Sequence, residues 1–143
     1  MTLEFGLSYT IINVKSGTAL DLDDNNNKYV VGFPIDGNTN QQWILEDAGD
    51  GFVRIKNLNG VGKYLCIDGN AKDGAPAICS AHQQTWRIIP ESGDPDHLRI
   101  SFSGINWVID LANGQSAPDT YVQIWESQGS ADNQVWIFKH LKV

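Results

Sequence analysis

The segment Gln-x-Trp followed by apolar residues occurs three times in 143 residues: Gln41-Gln42-Trp43-Ile44-Leu45, Gln84-Thr85-Trp86-Arg87-Ile88 and Gln134-Val135-Trp136-Ile137-Phe138. The second copy begins 43 residues after the first, and the third 50 after the second. Self-similarity at such a period signals a repeat architecture in which each unit buries its apolar face against its neighbours. Three of the five tryptophans stand in this motif. One Trp per repeat supplies a large apolar wedge to a shared core. The Gln before it carries an amide that both donates and accepts, suited to tying adjacent backbone segments.

The flanking sequence repeats as well. Helical periodicity is poor, whereas short apolar or alternating runs recur between Gly, Asn, Asp and Ser clusters such as Gly49-Asp50-Gly51 and Asn59-Gly60. Strands are predicted over 8–14, 18–22, 30–33, 42–46, 52–57, 64–67, 77–79, 86–89, 98–102, 107–111, 122–125 and 135–138. That is an all-β chain of twelve strands, four in each of three repeats (about 7–48, 49–93 and 94–143). Three such units closing around a pseudo-threefold axis also remove exposed strand edges. The length suits a single domain that buries its own core without staples.

Composition narrows the partners. The formal charge of −7 disfavours nucleic acid and anionic lipid, which both need a positive field. No apolar run reaches the roughly 20 residues that span a bilayer, so no membrane insertion is expected. The N-terminus shows no signal-peptide pattern, which leads to the expectation of a cytoplasmic protein or one exported without a signal peptide. In that setting Cys66 and Cys79 are expected as free thiols, although a disulfide between them is conceivable.

Within each repeat an apolar-Asp-apolar triplet leads to a short strand with an aromatic, then to Asn-Gln-x-Trp. The first repeat reads Leu20-Asp21-Leu22, Gly32-Phe33-Pro34, then Asn40-Gln41-Gln42-Trp43. The third reads Ile109-Asp110-Leu111, Val122-Gln123-Ile124-Trp125, then Asn133-Gln134-Val135-Trp136. The second carries Lys63-Tyr64-Leu65-Cys66-Ile67-Asp68-Gly69. From about Tyr9 to Phe138 this combination resembles the ricin-B-type (R-type) β-trefoil lectins, and most of all the single-domain members from mushrooms and other fungi.

The resemblance implies a β-trefoil that binds glycans or glycoproteins ending in galactose or N-acetylgalactosamine, with no catalysis, no cofactor and no metal. A carboxylate accepts hydrogen bonds from adjacent hydroxyls, and a ring covers the apolar face of the sugar. By motif, Asp110 would be the carboxylate, Trp125 the platform and Asn133 the orienting amide, with Gln134 behind and Gln123 at the edge. The first repeat would use Asp21, Gly32, Phe33, Asn40 and Gln41, with Val31 in place of the edge Gln. Strand alternation, with Ile109 and Leu111 inward, is expected to turn Asp110 outward. Relatives of this type are often dimeric agglutinins, so a homodimer is an expectation too.

Other residues fit plainer roles. In the second repeat Cys66 takes the Asp position if Leu65 and Ile67 face inward; the alternative register places Asp68 there. Cys79 is expected at the aromatic position, with Gln83 in place of the Asn, and this site is expected to be inactive. Without the resemblance, Asp21 and Asp110 serve equally well as turn caps. Trp107 fits core or site. Asp21-x-Asp23-x-Asn25 fails as a calcium loop, having Asn26 and Gly32 where the Gly and the bidentate Glu belong. His82, His97 and His140 lack ligand spacing, and Asp94 and Asp96 flank Pro95 in an expected solvated turn.

Two rival functions remain. A glycosidase needs two carboxyls about 5–10 Å apart, whereas the repeats place one Asp per site. A β-trefoil protease inhibitor needs one rigid exposed loop, for which 24–28 or 93–97 are candidates, but it has no use for Asp, aromatic and Asn repeated in register.

Overall fold

The computed structural model describes residues 3–91, 93–102 and 106–140. Among the described residues twelve strands run in chain order: β1 (Ser8–Asn13), β2 (Ala19–Leu22), β3 (Val30–Phe33), β4 (Trp43–Gly49), β5 (Phe52–Asn57), β6 (Tyr64–Ile67), β7 (Ala77–Ser80), β8 (Trp86–Glu91), β9 (Asp94–Phe102), β10 (Trp107–Leu111), β11 (Thr120–Glu126) and β12 (Trp136–His140). Single 3₁₀ turns occupy Thr39–Gln41, Ala112–Gly114 and Asp132–Gln134. Two of these turns use up the residues before the motif tryptophans, so β4 and β12 start at Trp43 and Trp136, one residue later than the periodicity predicts.

Every strand pairing is antiparallel. Six strands close on themselves in the order β1, β4, β5, β8, β9, β12 and back to β1. The other six form three hairpins, β2–β3, β6–β7 and β10–β11. This is a β-trefoil: a barrel without free edges, capped by a hairpin triplet. The hairpins join in cyclic order, through Tyr29 opposite Ile78, Pro76 opposite Gln123 and Tyr121 opposite Val31.

The motif tryptophans hold barrel and cap together. Trp43, Trp86 and Trp136 are fully buried. Their indole N–H groups donate to the carbonyls of Leu20, Leu65 and Ile109 at 2.9, 2.9 and 3.1 Å. Each Trp thus fills the core with its ring and satisfies a backbone acceptor on its own repeat's hairpin. These bonds fix equivalence: Leu20, Leu65 and Ile109 are the same position, so Asp21, Cys66 and Asp110 are as well.

Strand pairing corrects one expectation. Phe33 lies opposite Ala19, Trp125 opposite Val108 and Ser80 opposite Tyr64. Ser80 therefore takes the aromatic position of the second repeat, and Cys79 sits in the core with Gly32 and Ile124 as its equivalents. A second correction concerns Asp94-Pro95-Asp96. These residues open β9 after a register shift between Pro90 and Glu91, an irregularity of the kind that admits prolines to a sheet.

Candidate functional site

Alternation on β10 drives Ile109 and Leu111 into the core. Asp110 consequently turns away from the core, but it does not reach open solvent. Its exposure is 4 % and that of Asp21 is 3 %, so the expected outward-facing carboxylates are covered ones. Their covers are the other motif side chains. Gln134 Nε2 donates to Asp110 Oδ2 at 3.0 Å, and Gln123 Nε2 to Oδ1 at 3.2 Å. Asn133 Nδ2 donates to the Leu111 carbonyl at 3.0 Å and also favours the ionised form of Asp110.

The first repeat reproduces this arrangement. Gln41 Nε2 donates to Asp21 Oδ2 at 2.9 Å, and Asn40 Nδ2 to Oδ1 at 3.0 Å and to the Leu22 carbonyl at 3.2 Å. Val31 lies opposite Asp21 where Gln123 lies opposite Asp110. The structure therefore gathers Asp21, Phe33, Asn40 and Gln41 at one place and Asp110, Gln123, Trp125, Asn133 and Gln134 at another. Gly32 has a different place. A Cβ on it would stand 2.7 Å from Leu111 Cδ1, so this glycine permits close packing between the first and third repeats.

The two clefts differ. The third is an open cleft of about 680 Å³, with Asp110, Gln123, Trp125 and Asn133 in its lining. Trp125 is 36 % exposed, and its ring passes 3.7 Å from where a Cβ on Gly74 would lie. The first cleft is about 110 Å³ and carries Asp23, Asp24, Asp36 and Asp119 besides Asp21. Among the described residues no group of acidic, His or Cys side chains could hold a metal. Asp23 is engaged within its own loop, accepting from the Asn25 N–H and the Asn26 amide, both at 3.0 Å.

Burial pushes the carboxyl of Asp21 up to about 6. Asp36 and Asp24 add to this, and the Gln41 and Asn40 amides oppose it. Asp110 is also raised, again mainly by burial, with the amides of Gln134, Gln123 and Asn133 opposing. The second repeat has none of this chemistry. Cys66 Sγ lies 3.1 Å from Ser80 Oγ, and Gln84 turns its amide to the Thr85 carbonyl. Both cysteines are buried free thiols, each raised above the usual thiol range by burial.

Several contributors escaped the motif reading. Arg99, 6 % exposed on β9, donates from Nη1 to Gln134 Oε1 at 2.8 Å and pairs through Nε with Glu91. With its oxygen held by Arg99 and by the Gln128 N–H at 2.8 Å, the Gln134 amide must aim its NH₂ at Asp110. Asp132 also lines the third cleft, so that site has two carboxyls rather than one. The Asn113-Gly114 turn is another part of the lining. Arg99 lies outside the repeated motif and gave no signal. Trp107 proves to be a tie between repeats, its indole donating to Asp73 Oδ1 at 3.0 Å.

Comparison with known proteins agrees with this architecture. The Macrolepiota procera ricin B-like lectin, solved in complex with lactose, superposes with a TM-score of 0.93 at 29 % identity, covering 99 % of this chain and 100 % of that one. The Rhizoctonia solani agglutinin gives a TM-score of 0.86 at 26 % identity, with 99 % of both chains covered. An exo-β-1,3-galactanase from Clostridium thermocellum matches over 98 % of this chain but 31 % of its own, at 24 % identity and a TM-score of 0.81, a likeness of fold alone. No curated protein matches the chain significantly. Residues 3–80 match the family described as "Ricin-type beta-trefoil lectin domain-like", and the chain belongs to that family.

Proposed function

We propose that this lectin-family chain binds glycans ending in galactose or N-acetylgalactosamine, through the Asp110 cleft and a smaller second site at Asp21. One observation carries the reading. In two of three repeats a carboxylate is anchored by a Gln amide on one oxygen and bordered by a second amide on the other, beside an aromatic ring. The anchored carboxylate accepts from sugar hydroxyls, a charge-assisted contact stronger than a neutral one. Trp125 or Phe33 covers the apolar face that an axial hydroxyl leaves bare. The lactose complex of the Macrolepiota procera protein lends support, since lactose ends in galactose.

No reaction is assigned to the clefts. The Asp110 carboxyl, raised mainly by burial, is held by the Gln134 and Gln123 amides, which oppose that rise. The test is a glycan array of the wild type against Asp21→Ala/Asp110→Ala, with thermal unfolding measured on both. Binding to galactose- or N-acetylgalactosamine-terminated glycans that disappears in a folded double variant is the expected result. A folded wild type that binds no glycan would overturn the reading.

A further inference from the structure

Between the two clefts lies a third concavity of about 660 Å³, and it sits on the pseudo-threefold axis. The cyclic hairpin contacts define the axis through six positions: Tyr29 with Ile78, Pro76 with Gln123 and Tyr121 with Val31. Five of these six residues, all except Ile78, line the concavity. Every repeat contributes to it, yet the contributions are unequal. The first and third repeats supply tyrosines where the second supplies Pro76. Tyr121 is 70 % exposed.

Gln123 lines both this axial bowl and the Asp110 cleft. It is also the middle member of a row. On β11, Tyr121, Gln123 and Trp125 alternate with buried Val122 and Ile124, so the three share the outward face. A row of five residues along a strand spans roughly 13 Å, at about 3.3 Å per residue. That distance suits a short oligosaccharide rather than one sugar. Asp23, Asn26 and Asp119 supply polar groups at the bowl. On a chain of formal charge −7, these carboxylates select hydroxyl-rich neutral chains and repel anionic ones.

We infer that the axial bowl is an extension of the Asp110 site, in which the inner sugars of a neutral oligosaccharide stack on Tyr121 and Tyr29 while its terminal sugar rests on Trp125. This inference rests on the proposed function of the Asp110 cleft and adds to it a preference for longer neutral glycans. Gln123 would be the bridge, holding Asp110 with its amide while facing both subsites. Gly74 supports the same junction from the second repeat. It lines the bowl, and a Cβ on it would stand 3.7 Å from the Trp125 ring.

Isothermal titration in an Asp21→Ala background, where one site titrates, tests it. The probes are methyl β-galactoside, lactose and a linear neutral tetrasaccharide ending in galactose. The tetrasaccharide is expected to bind about tenfold more tightly than lactose, the worth of one good aromatic contact. Tyr121→Ala should remove that gain and leave lactose affinity unchanged. Equal affinity for lactose and the tetrasaccharide would overturn the extension while leaving the Asp110 reading intact. A gain that survives the folded Tyr29→Ala/Tyr121→Ala variant would overturn the bowl as its source. Failure of all three probes would overturn the Asp110 reading and the extension with it.

Discussion

At the scale of single residues, the candidate sites depend on carboxylates that are buried yet need their charge. Asp21 shows the consequence, since burial lifts its carboxyl from 3.8 to about 6. The folded state then holds this proton more tightly than the unfolded chain does. Its support for folding is full below about pH 4 and is lost as pH rises through 6. On the proposed function, binding should run the opposite way, because the ionised form is the one that would accept from sugar hydroxyls. In an Asp110→Ala variant, where only the first site remains, galactoside affinity should fall about tenfold between pH 7 and pH 5; titration at the two pH values checks this. Arg99 tests the third site in a different way. Arg99→Ala removes one of the two donors to Gln134 Oε1, leaving the Gln128 N–H, and leaves Glu91 without its cation, for a cost of roughly 1–3 kcal/mol in stability. Beyond that general loss, galactoside affinity measured in an Asp21→Ala background should fall, while affinity in the Asp110→Ala background stays constant. A purely structural Arg99 would leave both unchanged in the folded protein.

At the scale of elements, the strands were legible because each is a short apolar run closed by turn residues, and the Gln-x-Trp spacing set their grouping. The candidate site was legible where it followed the motif, as Asp110, Trp125 and Gln134 did. Sequence spacing failed where strand pairing decides position: Ser80, not Cys79, faces Cys66's side of the hairpin, because Leu65 rather than Tyr64 lies opposite Cys79. It failed again where a partner comes from a remote strand, as Arg99 does. Gly32 illustrates a third limit. The resemblance places it in the first site, while spacing gives no sign that its missing Cβ admits the Leu111 side chain from the third repeat. Gly32→Ala is expected to destabilise by about 1–3 kcal/mol through overpacking against buried Leu111 and Thr18. Adding Leu111→Ala should cost less in that background than in the wild type, and a double-mutant cycle of denaturant midpoints measures the difference.

At the scale of the molecule, pseudo-threefold symmetry gives one stable framework and lets the three repeats diverge in chemistry. The barrel needs all three tryptophans, and all three are buried with their N–H groups bonded in the same way. The clefts carry no such requirement, so the second repeat holds Cys66 and Ser80 where the others hold a carboxylate and a ring. On the proposed function, two candidate sites on separate hairpins around one axis would make a single chain bivalent. Weak contacts at each then add up to avidity on a surface dense with glycans, provided that both engage at once. The expected result is that galactoside titration of the wild type gives two sites per chain and that either Asp21→Ala or Asp110→Ala gives one. Each single variant should still bind an immobilised galactoside yet fail to cross-link galactose-coated particles. Cross-linking retained by both single variants would show that a second copy of the chain, and not the second hairpin, supplies the bridge. Sedimentation of the same samples would then reveal a dimer.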